Sequence, residues 1–175
     1  MTAQDGAGAA AHGAPWRVRP AMAADADALC ALEAAVFGTR SWGADSVRSS
    51  IGAPGVRVIL GESRAAPGPE TRVRETPVEA PSAQGFVIWR SLGVEAEILT
   101  LGVLAAVRRA GLGAALLAAA ADAARAAGVR RMFLEVDAGN PAAFSLYRRG
   151  GYVETGLRKG YYRDGADAVI MARDL

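Results

Sequence analysis

Two residue types that build many catalytic and metal sites are nearly missing from this 175-residue chain. Cys30 is its only cysteine and His12 its only histidine. One cysteine can form neither a disulfide within the chain nor a multi-cysteine metal site, and one histidine disfavours a multi-histidine zinc site. A serine–histidine triad is disfavoured as well, because His12 lies in an Ala/Gly-rich tail. We therefore expect neither a bound metal nor a nucleophilic triad.

The chain also lacks an apolar run that is long enough and free enough of charge to cross a membrane. Its most apolar region, residues 98–121, carries Arg108 and Arg109 near its middle, where each charge would be costly in lipid. The N-terminus lacks the basic start and the following apolar run of a signal peptide, so a signal peptide is not indicated. A net charge of only +2 gives no electrostatic reason for a nucleic-acid partner. We expect a cytoplasmic protein with no membrane or nucleic-acid partner.

The composition that remains is that of one folded domain. Hydrophobic residues make up 51% of the chain and charged residues 22%, and 175 residues suffice for one core. Residues 1–15 are mostly Ala and Gly without periodicity, which predicts a flexible tail before a single domain at 16–175. Residues 61–84 are rich in Pro, Gly, Glu and Arg. They predict a long mobile loop, with a substrate lid as the less favoured alternative.

Hydrophobic periodicity between residues 16 and 175 predicts an α/β (α+β) domain with a mixed sheet. The predicted order is a strand (16–19), two helices (25–37 and 41–51) and three strands (56–60, 85–92 and 95–103). A central helix ending at Gly128, a strand (130–137), a helix (140–149) and two strands (152–157 and 166–173) follow. Strands 85–92 and 95–103 are expected to pair antiparallel across Gly93.

The segment RRAGLG, residues 108–113, joins an apolar strand to the central helix. A helix N-terminus exposes unpaired backbone N–H groups and the positive end of the helix dipole. Glycines there let a phosphate reach those amides, and the arginines add positive charge. The segment predicts a pyrophosphate cradle, and a tight turn with two solvated arginines is the alternative.

A dinucleotide-binding fold is the first competitor for this segment, because a strand, G-x-G, a helix and Glu135 farther on imitate its fingerprint. However, Leu116 occupies the position of the third glycine. The motif also follows antiparallel-looking strands, and too little chain remains for a second half-sheet. A phosphate-loop NTPase is excluded, since G-x-x-x-x-G-K-[ST] does not occur in the chain.

Residues 108–113 resemble the R/Q-x-x-G-x-G/A signature of the GNAT N-acetyltransferases. Further motifs follow in the order and spacing of the RimI type of that family: Leu134-Glu135-Val136, Asn140, Leu146-Tyr147, Gly151-Tyr152, Arg158 with Tyr161-Tyr162, and residues 167–171. The resemblance covers residues 16–175 in element order and is tightest from Glu97 onward. It implies a GNAT-type fold, a mixed and mostly antiparallel twisted sheet flanked by helices.

The resemblance also implies a reaction, the transfer of an acetyl group from acetyl-CoA to a protein N-terminus. In the RimI type the acceptor is the N-terminal alanine of a small-subunit ribosomal protein. A base and an acid on opposite sides of the thioester carbonyl suffice for this chemistry, each worth about 10²–10⁴-fold. The resemblance makes Glu135 the base and Tyr147 the acid. It assigns to acetyl-CoA Leu101, Gly102, Val103, Arg108, Arg109, Ala110, Gly111, Leu112, Gly113, Ala114, Asn140 and Tyr147.

The acceptor site is expected to involve Glu135, Tyr161 and Tyr162, with Trp42 either in this groove or in the core. Each assignment has a structural alternative. Glu135 would be a strand-end carboxylate facing water, and Asn140 only a helix cap. Tyr147 would be a core aromatic, and the tyrosine pair would pack at a strand edge.

Two other functions remain open at this point. One is an acetyltransferase of the same fold that acts on a small-molecule amine or a lysine. The other is a non-catalytic acyl-CoA-binding module, against which the presence of Glu135 and Tyr147 argues. The chain also departs from the family at Leu104-Ala105-Ala106, where a proline is common, and at Val107, where an aromatic residue is common. Gly102 is expected to make its strand more flexible.

Overall fold

A computed structural model describes residues 15–64, 83–162 and 165–175. The predicted tail, apart from residue 15, and most of the predicted loop at 61–84 therefore lie outside the described residues. The strands are β1 Trp16–Pro20, β2 Val56–Ser63, β3 Gly85–Leu92, β4 Glu95–Val103, β5 Arg131–Asp137, β6 Val153–Arg158 and β7 Ala168–Asp174. The helices are α1 Ala26–Phe37, α2 Ala44–Ser50, α3 Leu112–Ala126 and α4 Pro141–Arg149. The predicted element order and mixed α/β class are confirmed.

The seven described strands form one sheet in the order β1-β2-β3-β4-β5-β7-β6. Every neighbouring pair is antiparallel except β4 and β5, which run parallel and are connected through α3. The antiparallel pairing of β3 and β4, predicted across Gly93, is also confirmed. The sheet is therefore mixed and mostly antiparallel, as expected.

The parallel pair β4–β5 opens into a gap partway along its length. Its register runs from Glu95 opposite Arg131 to Ile98 opposite Leu134 and stops there. A bulge in the β3–β4 ladder lies at the same level, where Leu99 is the extra residue in β4. A bulge bends its strand and increases the local twist. The far ends of β4 and β5 thus separate and leave backbone groups on facing edges.

Helices cover the two faces of the sheet and make two apolar cores. On one face, Leu112, Leu116 and Leu117 of α3 pack over buried residues of β2 to β5 and β7, together with Tyr147 of α4. On the other face, α1 and α2 pack over residues of β2 and β3. Alternation along β3 serves both cores, since Trp89 faces the first and Ile88 the second. The second layer covers only the β1–β4 half of the sheet.

Two paired glycines seat the N-terminus of α3 on the sheet. Gly61 of β2 lies opposite Gly85 of β3. A Cβ at Gly61 would lie 2.5 Å from Leu112 Cδ1, and one at Gly85 would lie 2.9 Å from Leu112 Cδ2. The missing side chains form a notch for the first residue of the helix.

The strand β2 continues to Ser63, so the predicted strand end at residue 60 is wrong. Backbone pairing with β1 and β3 outweighs the weakening that Gly61 causes within the strand.

Gly102 corrects a second expectation. A Cβ at this position would lie 2.7 Å from Phe86 Cε1 and 3.1 Å from Val36 Cγ1. Gly102 is buried, and Phe86 is fully buried beside it. The glycine therefore lets an aromatic ring and α1 pack directly on the β4 backbone. It is a packing requirement and not a point of extra flexibility.

Candidate active site

The predicted cradle is the loop 104–111, which leads from β4 into α3. Gly111 caps the helix with φ of 88°, and Arg109 has φ of 67°, the only positive φ of a non-glycine among the described residues. The first amide that donates along the helix is that of Ala115, to the oxygen of Gly111 at 3.0 Å. The preceding amides are therefore available to a ligand. A non-glycine in the left-handed region stores backbone strain, which tends to occur at functional sites.

Two side-chain hydrogen bonds, one from β1 and one from the loop itself, fix the position of this loop. Trp16 on β1 donates an indole N–H bond of 2.6 Å to the carbonyl of Ala110. Arg108 donates from Nε to the carbonyl of Val103 at 3.1 Å. The loop is thus tied to the edge strand of the sheet and to the end of β4. Arg109 and Gly111 are exposed at the start of the helix.

The three residues predicted to contact the cofactor along β4 lie beyond the point where β4 and β5 separate. Leu101 and Val103 are half-buried and pack against the α3 core, while Gly102 packs on the opposite face. A Cβ at Gly113, in the first turn of α3, would lie 3.3 Å from Leu146 Cδ2 and 3.8 Å from Val103 Cγ2. This places the β4 edge, the start of α3 and the middle of α4 around one opening.

Glu135 is the first residue of β5 after its pairing with β4 stops. The predicted alternation is confirmed, because Met132, Leu134 and Val136 are buried and Glu135 faces the other way. Its carboxylate forms an ion pair with Arg158 Nε at 2.9 Å, and its side chain is 13% exposed. It also accepts a hydrogen bond from the Tyr161 hydroxyl, which is the largest cause that raises the pKa of Tyr161. Glu135 is thus a paired and partly covered carboxylate at the mouth of the gap.

The loop after β6 brings the predicted tyrosine pair to this carboxylate. The rings of Tyr161 and Tyr162 meet edge to face with centroids 5.2 Å apart. The guanidinium of Arg158 lies 5.5 Å from the centroid of the Tyr161 ring. Burial, followed by the charges of Asp137 and Glu135, raises the pKa of Tyr162 to about 12. The structure therefore gathers two aromatic rings around the acidic end of β5, next to the cation of Arg158.

Tyr147 lies on the buried side of α4, where it is only 7% exposed. Burial, and to a lesser extent the nearby Tyr162, raises its pKa to about 12. Its ring meets that of Tyr152 edge to face with centroids 6.0 Å apart. Tyr147 is part of the core, yet its electrostatic coupling to Tyr162 places it close to the acceptor loop. At neutral pH this hydroxyl carries its proton and can donate it.

Asn140 begins α4 and acts as its cap. Its Oδ1 accepts from the Ala143 amide at 3.0 Å, and Pro141 occupies the first helical position. The predicted capping role is confirmed. Asn140 is exposed, and its side-chain amide also carries two N–H donors that the cap does not require.

Trp42 lies in the segment between α1 and α2 with 41% of its surface exposed. The core position that the sequence left open is therefore wrong. Two residues earlier, Arg40 pairs with Asp137 at 3.1 Å between Nη1 and Oδ2. Trp42 thus belongs to a segment that reaches the end of β5. The structure records no direct contact between Trp42 and Glu135.

Several residues that shape this site were not identified from the sequence. Trp16 holds the cradle, Arg40 reaches β5, and Glu33 is a carboxylate that is only 1% exposed. Glu33 alone carried a local signal, because it occupies the apolar stripe that Leu29 and Leu32 begin on α1.

In the described ranges, no group of three or more His, Cys, Asp or Glu side chains is arranged to hold a metal ion. None of the helices described is long and apolar enough to span a membrane.

Comparison with known proteins agrees with this geometry. Residues 81–152 match the model of the acetyltransferase (GNAT) family. The N-alpha-acetyltransferase RimI of Mycobacterium tuberculosis is 46% identical over 81 residues, which cover 46% of this chain and 49% of that protein. The chain thus spans about half the length of the curated relatives that it matches.

Two solved structures extend the similarity over most of the chain. The ribosomal-protein-S18-alanine N-acetyltransferase from Escherichia coli superposes with a TM-score of 0.73 at 26% identity, covering 91% of this chain and 93% of that one. NAA60 from Arabidopsis thaliana in complex with acetyl-CoA superposes with a TM-score of 0.75 at 19% identity, covering 91% and 98%. The second match concerns the fold alone. Residues 81–152 are thus similar to the GNAT acetyltransferase family, and the fold of the described chain matches that of these acetyltransferases.

Proposed function

We propose that this protein is an N-terminal acetyltransferase that moves an acetyl group from acetyl-CoA to the α-amine of a protein. The expected acceptor is a ribosomal protein that begins with alanine, acetylated in the cytoplasm. The observation that carries this proposal is Glu135 at the mouth of the β4–β5 gap, surrounded by the Tyr161–Tyr162 loop. The similarity to RimI and to the ribosomal-protein-S18-alanine N-acetyltransferase supports the choice of acceptor.

The cofactor half of the site fits acetyl-CoA as co-substrate. The cradle offers helix amides, the exposed Arg108 and Arg109, and two glycines for the pyrophosphate. The separated edge of β4 at Leu101 to Val103 offers backbone groups to the amides of the pantetheine arm, which pairs like an added strand. The spare amide donors of Asn140 extend this half of the site along α4. The thioester carbonyl then lies near Glu135 and Tyr147.

The chemistry requires three proton transfers and one exchange of bonds. The acceptor ammonium loses a proton to Glu135, directly or through water, and the free amine attacks the thioester carbonyl. A new C–N bond forms, the C–S bond breaks, and the departing thiolate takes a proton from Tyr147. The acetylated nitrogen loses its second proton through water to the Tyr147 phenolate, and the proton on Glu135 passes to solvent. The pKa of Tyr147, raised to about 12 by burial, keeps that proton available at physiological pH. The ion pair with Arg158 holds the Glu135 carboxylate in place until the acceptor ammonium arrives.

A direct test is to incubate the protein with acetyl-CoA and a peptide that begins with alanine and also contains a lysine. Mass spectrometry with fragmentation locates the acetyl group. We expect it on the α-amine, and none on the same peptide with a blocked N-terminus. Acetylation of the lysine, or of small amines in place of the peptide, would favour the alternative acetyltransferase. Acetyl-CoA binding without thiol release for any acceptor would leave an acyl-CoA-binding module.

A further inference from the structure

A buried carboxylate on α1 has no part in the chemistry proposed above. Glu33 is only 1% exposed, and Glu62 is the other buried acidic residue among those described. Glu33 is enclosed by the apolar side of α1, where Leu29 and Leu32 are also buried. A carboxylate in such surroundings destabilises the fold unless its oxygens are hydrogen-bonded. Its partners therefore show what the residue does.

Both oxygens of Glu33 bind the segment that joins α1 to α2, residues 38–43, called here the α1–α2 loop. The Ser41 hydroxyl donates to Oε2, and the Trp42 amide donates to Oε1 at 2.9 Å. The Ser41 oxygen in turn accepts from the Gly43 amide at 3.1 Å. Three consecutive residues of the loop are thus organised around one carboxylate. Hydrogen bonds to a charged group are roughly twice as strong as neutral ones, so this arrangement strongly restricts the loop.

The same loop reaches the acidic end of β5. Arg40 pairs with Asp137, which lies two residues beyond Glu135. The positive charge of Arg40 also acts on Tyr162 and opposes the rise in the pKa of that tyrosine. The loop therefore borders the acidic end of β5, where Tyr162 also lies. Among the described residues, the buried core under α1 and α2 contains side chains of β2 and β3 and none of β5, whereas the α1–α2 loop reaches Asp137 of β5.

We propose that Glu33 is a positioning residue for the acceptor. It holds the α1–α2 loop so that Arg40 and the exposed Trp42 form one wall of the groove for the first residues of a peptide. The proposal rests on the proposed function and extends it. A buried residue of α1 then determines the position of the loop that forms one wall of the acceptor groove. Acetyl-CoA binds on the other side of the β4–β5 gap, so its affinity does not depend on Glu33.

The test compares Glu33→Ala, Glu33→Gln and Ser41→Ala with wild type, and Glu62→Ala serves as the matched control. Glu62 is equally buried but pairs with Arg19, whose Nε donates to it at 2.8 Å on the β1–β2 side. We expect Glu33→Ala to raise the KM for an alanine-starting peptide about tenfold, as for loss of a charged hydrogen bond. We expect kcat and the acetyl-CoA Kd from calorimetry to stay within about twofold.

The remaining variants separate positioning from general stability. Glu33→Gln keeps the size and one acceptor oxygen, so its KM should lie between wild type and Glu33→Ala. Ser41→Ala should raise KM several-fold and add little in combination with Glu33→Ala, because both remove the same bond. If Glu33→Ala does not fold, Ser41→Ala and Glu33→Gln carry the test. An unchanged peptide KM in these variants, or an equal rise in Glu62→Ala, overturns the proposal.

Failure of the proposed function gives a different result. If wild-type protein acetylates no peptide, acrylamide quenching of tryptophan fluorescence still reports on the α1–α2 loop, with Trp42→Phe identifying the Trp42 contribution. Greater quenching of Trp42 in Glu33→Ala than in wild type and Glu62→Ala supports the hold of Glu33 on the loop. Equal quenching in all three overturns it.

Discussion

The proposed acid and base occupy contrasting surroundings, which suits their opposite tasks. Tyr147 is buried in the core, where a phenolate is disfavoured and the hydroxyl keeps its proton. Glu135 is charge-paired with Arg158 and hydrogen-bonded by Tyr161 at the mouth of the gap. A carboxylate held this way has a fixed orientation at the gap, so it can accept a proton from the incoming amine. The environment of each residue thus agrees with the role proposed for it.

Glu135→Gln and Tyr147→Phe should each lower kcat by about 10²–10⁴-fold, because each removes a proton acceptor or donor that acts in the transition state. The acetyl-CoA Kd should stay within about threefold, since neither side chain is placed at the cradle. Steady-state kinetics with calorimetry on the same preparations measures both quantities. Full turnover in both variants would show that the roles are wrongly assigned.

At the scale of elements, the site depends on how α3 begins. The glycine notch at Gly61 and Gly85 receives Leu112, and the bond from Trp16 fixes the loop before it. The left-handed conformations of Arg109 and Gly111 then turn the chain into the helix. These contacts come from three strands, so the cradle is preorganised by the sheet. A ligand that binds there does not have to order the loop first.

Gly111→Asp should reduce acetyl-CoA affinity at least about a hundredfold, because it places an anionic side chain at a left-handed position of a phosphate cradle. Trp16→Phe keeps an aromatic ring but removes the bond to Ala110, so a loss of about three- to tenfold is expected. Calorimetric titration with acetyl-CoA measures both. Wild-type affinity in Gly111→Asp would exclude the cradle as the pyrophosphate site.

Gly102→Ala should lower the free energy of unfolding by about 1–3 kcal/mol, because its Cβ would overlap the buried ring of Phe86. Urea denaturation measures the change. A second substitution, Phe86→Leu, gives the added methyl group room, so the double variant should lose less than the sum of the two single variants. Strict additivity would show that the two residues do not compete for the same space.

The strands in the described ranges form a single sheet, and four residue pairs of β4 and β5 join its two halves. Helices among these residues cover both faces of the β1–β4 half and one face of the β5–β7 half. The ion pair of Arg40 and Asp137 and the packing of α3 connect the halves. The β4–β5 gap is therefore a consequence of the sheet topology, and the buried tyrosines Tyr147 and Tyr152 lie in the core on the α3 face of the sheet.

Stability should fall at alkaline pH through these tyrosines. Burial raises the pKa of Tyr147 and of Tyr162 from 10.0 to about 12, and that of Tyr152 rises as well. The unfolded chain releases these protons near pH 10 while the native state retains them. The stabilisation is thus complete below about pH 10 and is lost as the pH rises towards about 12, by up to about 1.4 kcal/mol per pH unit for each group.

Tyr147→Phe isolates one part of this effect, because it removes one phenolic proton from the linkage. Urea unfolding at several pH values between about 9 and 11 should show a shallower loss of stability in this variant than in wild type. Only the slope of stability against pH is compared, so a change in packing that is the same at every pH does not enter the result. Identical pH dependence in wild type and Tyr147→Phe would contradict the assignment.

The candidates Glu135 and Tyr147 came from the resemblance to the GNAT family. The sequence by itself determined the order of the elements and the mixed α/β class, and it predicted the cradle at 108–113. Those features follow from residues close together in the chain, whose periodicity and turn chemistry are local. Only the tertiary structure decided that Trp16 holds Ala110, that Glu33 holds the α1–α2 loop, and that Arg158 pairs with Glu135. Trp16 and Ala110 are 94 positions apart. Such pairs depend on strand order and helix packing, which no local pattern of residue types specifies.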